Sequence, residues 1–218
     1  MSERGIPFVV SAPSGTGKTT VCRGVVERDP KIGFSISHTT RARRPDELDG
    51  VHYHFVSSEE FAELIAADGF VEHAEYAGNQ YGTSWSAIDG PLSQGRDLLL
   101  EVEVQGARQL RERRSDARLV FLLPPSWEEL ERRLRGRGTD GPEAIARRLD
   151  VAHIELAAVH QFDYAVVNDE VETTIDAVLS IVRAERDGDP APVLARYGRA
   201  RVVAELGEVL PIPGASRG

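Results

Sequence analysis

A chain of 218 residues is long enough to bury a substantial core, and length alone allows either one domain with insertions or a larger and a smaller domain. A 41% hydrophobic share with 28% charged residues excludes wholesale disorder and collagen-like or coiled-coil architectures, and a formal net charge of -9 argues against a basic surface that coats nucleic acid. The single cysteine, Cys22, excludes an intrachain disulfide and a multi-cysteine zinc site; no apolar run approaches the ~18 residues of a membrane span and no secretory signal precedes Ile6, so a cytoplasmic protein with no membrane partner is expected.

In chain order, Ile6 to Ser11 is a short apolar run ending in Pro, Ser, Gly and Thr, which predicts a buried strand entering a loop. A helix is expected from Lys18 to about Glu27. Tyr53 to Val56 and Phe70 to Tyr76 read as strands, within a glycine-punctuated stretch that looks like an inserted subdomain. Ser57-Ser-Glu-Glu60 and Ser126-Trp-Glu-Glu129 each fit a capping box and predict helices over about Ser58 to Ala67 and Trp127 to Arg135. Strands are expected at Leu98 to Val104, Leu119 to Leu123 and Tyr164 to Val167, with helices at Gln105 to Arg113 and Glu172 to Arg186. That order favours a parallel α/β sheet. The expected organisation is a core of residues 5-36 and 97-186, an inserted subdomain at 37-94, a lid at 136-147 around Gly136-Arg-Gly-Thr-Asp-Gly141, and a flexible tail at 187-218. Within the tail, Val202 to Leu210 is apolar enough that docking stays open.

Chemistry is most legible in Ala12-Pro13-Ser14-Gly15-Thr16-Gly17-Lys18-Thr19, followed by Thr20. It departs from the phosphate-loop pattern only at Ala12, where glycine is usual. Gly15 and Gly17 let successive backbone N–H groups face phosphate, the following helix presents its positive end, Lys18 reaches the phosphates, and Thr19 offers a hydroxyl to magnesium. The alternative, a purely structural turn, is disfavoured by the strand before and the helix after. The loop alone does not separate kinase, motor, switch and hydrolase, although no Asn-Lys-x-Asp guanine-reading sequence occurs. Arginines concentrate at Arg41, Arg43 and Arg44 and again at Arg132, Arg133, Arg135, Arg137, Arg147 and Arg148, as two phosphate groups would require; the competing reading pairs several of them with neighbouring glutamates on solvated helices. Glu101 and Glu103, two apart on the expected strand, should share one face. His52 and His54 lack a secure third ligand and read as packing residues rather than a zinc site, and Cys22 reads as a small packing residue.

Ser37-His-Thr-Thr-Arg-Ala-Arg-Arg44, Asp49-Gly-Val-His-Tyr-His-Phe55, Glu72-His-Ala-Glu-Tyr-Ala-Gly-Asn-Gln-Tyr-Gly-Thr83 and Gly136-Arg-Gly-Thr139, in that order after the loop, closely resemble guanylate kinase over roughly Pro7 to Arg186. The resemblance implies a P-loop nucleoside monophosphate kinase fold with an inserted GMP-binding subdomain and a mobile lid. It further implies phosphoryl transfer from ATP to GMP with Mg2+. Carried over residue by residue, it makes Arg41 and Arg44 the clamps for the GMP phosphate with the hydroxyls of Tyr53 and Tyr81, and Glu72 the guanine reader assisted by Ser37 and Thr83. Glu101 and Glu103 resemble the acidic pair that organises magnesium through water and meets GMP, with Glu103 standing where the family has aspartate. Arg133, Arg137 and Arg148 resemble the ATP-side arginines, with Lys18, Arg44, Arg137 and Arg148 catalytic, and Asn168 resembles a residue near adenine. The alternatives are a kinase for another nucleoside monophosphate and a non-catalytic guanylate-kinase-like interaction module; Glu72 opposes the first, and Lys18, Gly15, Gly17, Arg41 and Arg44 oppose the second. Nothing in the sequence indicates an oligomeric state.

Overall fold

The computed structural model describes residues 4–76, 78–136, 142–207 and 209–212. Arg137 and most of the expected lid tip therefore lie outside the described residues. The chain opens with β1 (Pro7–Ser11), α1 (Lys18–Arg28), β2 (Ile32–Phe34), β3 (His38–Thr39), β4 (His54–Phe55) and α2 (Ser58–Ala66). It continues through β5 (Phe70–Tyr76), β6 (Asn79–Ser84), α3 (Trp85–Ser93), β7 (Asp97–Glu101), α4 (Val104–Arg113) and β8 (Arg118–Leu123). It ends with α5 (Trp127–Arg135), α6 (Pro142–Leu156), a 3-10 turn (Ala157–Gln161), β9 (Tyr164–Val167), α7 (Val171–Arg186), α8 (Ala191–Tyr197) and α9 (Arg199–Leu206).

Five strands form a sheet in the order β2-β7-β1-β8-β9, in which β2 runs parallel to β7 and β8 parallel to β9. A second sheet has the order β4-β3-β6-β5, with β3 parallel to β4 and antiparallel to β6, and β5 and β6 paired antiparallel. All of β1 and residues Leu119 to Leu123 of β8 are buried. Such unbroken apolar runs, rather than alternating ones, are what a parallel sheet requires. By contacts the chain divides into two units, residues 1–9 with 30–117 and residues 10–29 with 118–218. The stretch 37-94 falls wholly within the first unit, which also holds β2, β7 and α4.

Several boundaries differ from the sequence expectation. The capping box of α2 is complete: Ser57 Oγ accepts from the Glu60 N–H at 3.1 Å and Glu60 Oε2 accepts from the Ser57 N–H at 2.8 Å. At α5 only half of the box forms. Ser126 Oγ accepts from the Glu129 N–H, but the Glu129 carboxylate turns to Arg132 and Arg133, both at 2.7 Å, because two guanidinium groups one turn ahead attract it more than one backbone N–H does. Helix α3 has no counterpart in the sequence reading, since Gly90 and Pro91 look like loop punctuation; the buried pair Ile88 and Leu92 and the Ser84 cap hold it nonetheless. Strand β7 stops at Glu101 and Glu103 is the N-cap of α4, so the two acids do not share a strand face as expected.

The expected flexible tail is also corrected. Residues 191–206 form α8 and α9, Gly198 bridges Tyr164 of the edge strand β9, and the Arg199 backbone N–H and guanidinium donate to the carbonyls of Asp163 and Phe162 at 3.2 and 2.7 Å. Val202, Val203, Leu210 and Ile212 are buried. Apolar burial and the unpaired edge of β9 together outweigh the Gly and Pro signals that suggested a loose end.

Candidate active site

Within the second unit, Val10 and Ser11, the last residues of β1, lead into the loop Ala12 to Thr19. Gly15 and Gly17 have φ of 91° and 94°, a left-handed conformation that strains any side chain, and an added Cβ would lie 2.8 Å from Leu134 Cδ2 or 2.9 Å from Asn168 Nδ2. Ala12 stands where glycine is usual without strain, because Asp68 is the only described non-glycine residue with positive φ. Pro13 is buried, Ser14 and Lys18 are half-buried, and Thr19 and Thr20 are exposed in the first turn of α1, whose glycine N-cap leaves the helix's positive end to an anion. Thr16 Oγ1 is buried with no hydrogen-bond partner among the described residues.

Asn168 and Arg133 grip this loop from behind. The Asn168 side chain, 2% exposed, donates from Nδ2 to the Thr16 carbonyl at 2.5 Å, while Oδ1 accepts from Thr174 Oγ1 at 3.0 Å. Arg133 donates from Nη1 to the carbonyls of Asn168 at 2.9 Å and Thr16 at 3.4 Å, from Nη2 to Asp169, and from Nε to Glu129. Arg148 donates to Ser14 Oγ at 2.9 Å and Glu155 accepts from the Ser14 N–H at 3.1 Å. Sequence reasoning missed Glu155, which meets the loop at Ser14, and Thr174, which acts on it through Asn168; neither carries a motif. The sequence reading puts Asn168 near adenine; in the structure its side chain bonds the Thr16 carbonyl and Thr174.

Within the first unit, Glu72 of β5 and Thr83 of β6 are cross-strand partners, and Thr83 Oγ1 donates to Glu72 Oε1 at 2.6 Å. Ser37 Oγ lies 3.1 Å from Thr83 Oγ1. Glu72 is 4% exposed, Thr83 wholly buried and Ser37 half-buried, and their hydroxyl and carboxylate groups form one polar cluster. Gly106 of α4 makes room for it: a Cβ there would lie 2.4 Å from Glu72 Oε2.

The other cluster of this unit gathers Arg41, Tyr53 and Tyr81. The Arg41 guanidinium carbon is 5.5 Å from the Tyr53 ring centroid, and the Tyr53 and Tyr81 rings are 5.9 Å apart. Hydrogen bonding to Glu47, and secondarily to Tyr81, raises the Arg41 pKa further above its ordinary value. Tyr53 lies outside β4 and is held by a bridge to Asp49. Arg44 is exposed beside this cluster, and Glu101 and Glu103 are half-buried at the end of β7 and the start of α4.

A parallel α/β sheet whose first strand runs through a glycine-rich phosphate loop into its first helix, in a chain that also carries an arginine-tyrosine cluster, belongs to the P-loop nucleotide kinase class. A family model described as guanylate kinase matches residues 4–185. The chain is 50% identical over 182 residues to a guanylate kinase of Alkalilimnicola ehrlichii, covering 84% of this chain and 90% of that protein. It is 50% identical over 176 residues to one of Thermobifida fusca, covering 81% and 90%. A crystal structure of guanylate kinase from Anaplasma phagocytophilum superposes with a TM-score of 0.71 at 34% identity, covering 84% of this chain and 87% of that one. The chain belongs to the guanylate kinase family.

Proposed function

We infer that this chain is an ATP-dependent guanylate kinase, transferring a phosphoryl group from ATP to GMP to give ADP and GDP. The observation that carries the base specificity is the buried cluster of Glu72, Thr83 and Ser37. An ionised carboxylate only accepts hydrogen bonds, and guanine presents adjacent N1–H and N2–H donors that match it. Adenine presents an unprotonated N1 and no N2 amine, so it would offer the carboxylate neither of the two donors that guanine supplies.

In the proposed division of labour, residues 5-36 and 97-186 form the ATP-binding core, 37-94 the GMP-binding subdomain and 136-147 the lid. Loop amides and Lys18 hold the ATP phosphates, Arg148 and Arg137 meet the transferring group, and Arg133 with Asn168 keeps the loop in its binding conformation. Arg41 and Arg44, with the Tyr53 and Tyr81 hydroxyls, hold the GMP phosphate. An oxygen of that phosphate attacks the terminal phosphorus of ATP, the new P–O bond forming as the bond to the ADP oxygen breaks in line. The acceptor is already anionic, so no side-chain base is needed, and positioning with charge compensation supplies the acceleration.

The donor set suits magnesium, a hard cation that prefers oxygen: the Thr19 hydroxyl, with Glu101 and Glu103 acting through water. Among the described residues no group of three or more His, Cys, Asp or Glu could hold a metal. Bound there, magnesium would neutralise charge on the phosphates. No helix among the described residues is long and apolar enough to cross a membrane, and a cytoplasmic location is part of this proposal.

A coupled assay of ADP formation with GMP, AMP, UMP and dTMP tests the reading. Strong preference for GMP is expected. Equal or greater turnover of another acceptor would overturn it, and folded protein with no magnesium-dependent transfer would instead indicate an interaction module.

A further inference from the structure

Glu47 is absent from every motif discussed above, yet it is the hub of the arginine cluster. Its side chain is buried, and Oε1 accepts from Arg41 Nη2 at 2.6 Å while Oε2 accepts from the Arg44 backbone N–H at 2.8 Å. Its own N–H donates to the Arg44 carbonyl at 3.1 Å, closing the turn Arg44 to Glu47 from both ends, and its carbonyl accepts from Arg43 Nη1 at 2.7 Å. One acid thus fixes the side chain of Arg41, the backbone of Arg44 and the side chain of Arg43.

We propose that Glu47 is a positioning residue for GMP phosphate binding, acting by holding the Arg41 guanidinium against Tyr53 and by fixing the turn that carries Arg44. The proposal rests on the reading of Arg41 and Arg44 as the phosphate clamps. An arginine side chain has several rotatable bonds, so an untethered Arg41 would sample many positions and lose that freedom on each binding event. In the structure Arg41 is already ordered: Nη2 is on Glu47, Nη1 donates to the Ala42 carbonyl at 2.8 Å, and its ring neighbours are Tyr53 and Phe55. The hydrogen bond from Arg41 holds the Glu47 carboxyl at about 2, far below the ordinary carboxylate range, so the tether is fully ionised at neutral pH.

Simple electrostatics makes the opposite forecast. A carboxylate beside a phosphate site repels the incoming dianion, so if Glu47 were a bystander its neutralisation would tighten GMP binding. The tether makes neutralisation weaken it, because Glu47→Gln puts an amide donor where one of the two acceptor oxygens stood.

The experiment is a steady-state and calorimetric double-mutant cycle with Glu47→Gln, Arg41→Met and the double variant, measuring GMP and ATP separately. Expected for Glu47→Gln is a rise in the GMP KM of at least about 10-fold, a kcat within about 3-fold of the parent and an ATP KM changed less than about 2-fold. In the Arg41→Met background most of that rise should vanish. A GMP KM that is unchanged or lower in Glu47→Gln overturns the proposal, as does a parallel rise in both KM values, which marks general loosening of the fold. A rise that is undiminished in the Arg41→Met background shows that Glu47 does not act through Arg41. If Arg41→Met itself leaves the GMP KM unaltered, the clamp assignment is what has failed.

Discussion

Glu72 and Glu47 are both buried acids of the first unit, and their partners give them different work. Glu72 accepts from a neutral hydroxyl, that of Thr83, whereas Glu47 accepts from a cationic donor on one oxygen and a backbone donor on the other. On the proposed reading of Glu72 as the base reader, Glu72→Gln exchanges an acceptor for a donor; the expected loss in GMP kcat/KM is roughly 30-fold to 1,000-fold, about 2 to 4 kcal/mol, with ATP binding by calorimetry little altered. A variant that used GMP as well as the parent would remove Glu72 as the base reader. For Glu47 the consequence is a pH dependence. Its folded-state pKa is depressed to about 2, so its stabilising contribution is complete above the ordinary carboxylate range and is lost as pH falls toward 2. The difference in thermal midpoint between parent and Glu47→Gln should therefore be constant from neutrality to about pH 5 and shrink below that; a difference that grows on acidification would contradict the Arg41 tether.

At the scale of elements, small residues decide how closely one element approaches another. Gly106 lets α4 lie against β5 without displacing Glu72, and Gly82 of β6 performs the same service for Phe61 and Phe70, whose ring atoms an added Cβ would meet at 3.0 to 3.1 Å. Gly106→Ala is itself favourable for helix propensity, so a loss of function there cannot be charged to α4 unfolding. The expected result is a GMP KM raised about 5-fold to 50-fold with the ATP KM nearly unchanged, because the new methyl forces the fixed carboxylate out of register with guanine. Unchanged GMP kinetics would show that Glu72 has room to move. The behaviour of α5 carries the same lesson in electrostatic form: local sequence specified a capping box, and the arginines of the next turn took its glutamate.

Across the whole molecule, the segment beyond the family match at residue 185 closes the edge of the main sheet rather than trailing from it. Deleting residues 190–218 would remove the buried Val202, Val203, Leu210 and Ile212, uncover the apolar surface they pack on, and strip the Asp163 and Phe162 carbonyls of their Arg199 donors. A fall in the thermal midpoint of at least about 5 °C is expected, with the ATP and GMP KM values of the folded remainder close to those of the full chain; an unchanged midpoint would show that the segment contributes nothing to stability. The sequence by itself determined the α/β class and the glycine-rich loop, and its ordered motifs singled out Arg41, Glu72 and Thr83 by family resemblance, because apolar runs, glycine spacing and motifs are local signals. It misjudged α3, the end of β7 and the C-terminal helices, where the local Gly, Pro and strand signals are overridden by burial of Ile88, Leu92, Val202 and Val203. Glu155, Thr174 and Glu47 were decided by the folded structure: Glu155 bonds Ser14 from 141 positions away, Thr174 acts on the loop only through Asn168, and Glu47 acquires its role from the turn that brings its carboxylate to Arg41 and Arg44. A hydrogen bond between such groups depends on distance in space, which a residue's sequence neighbours do not encode.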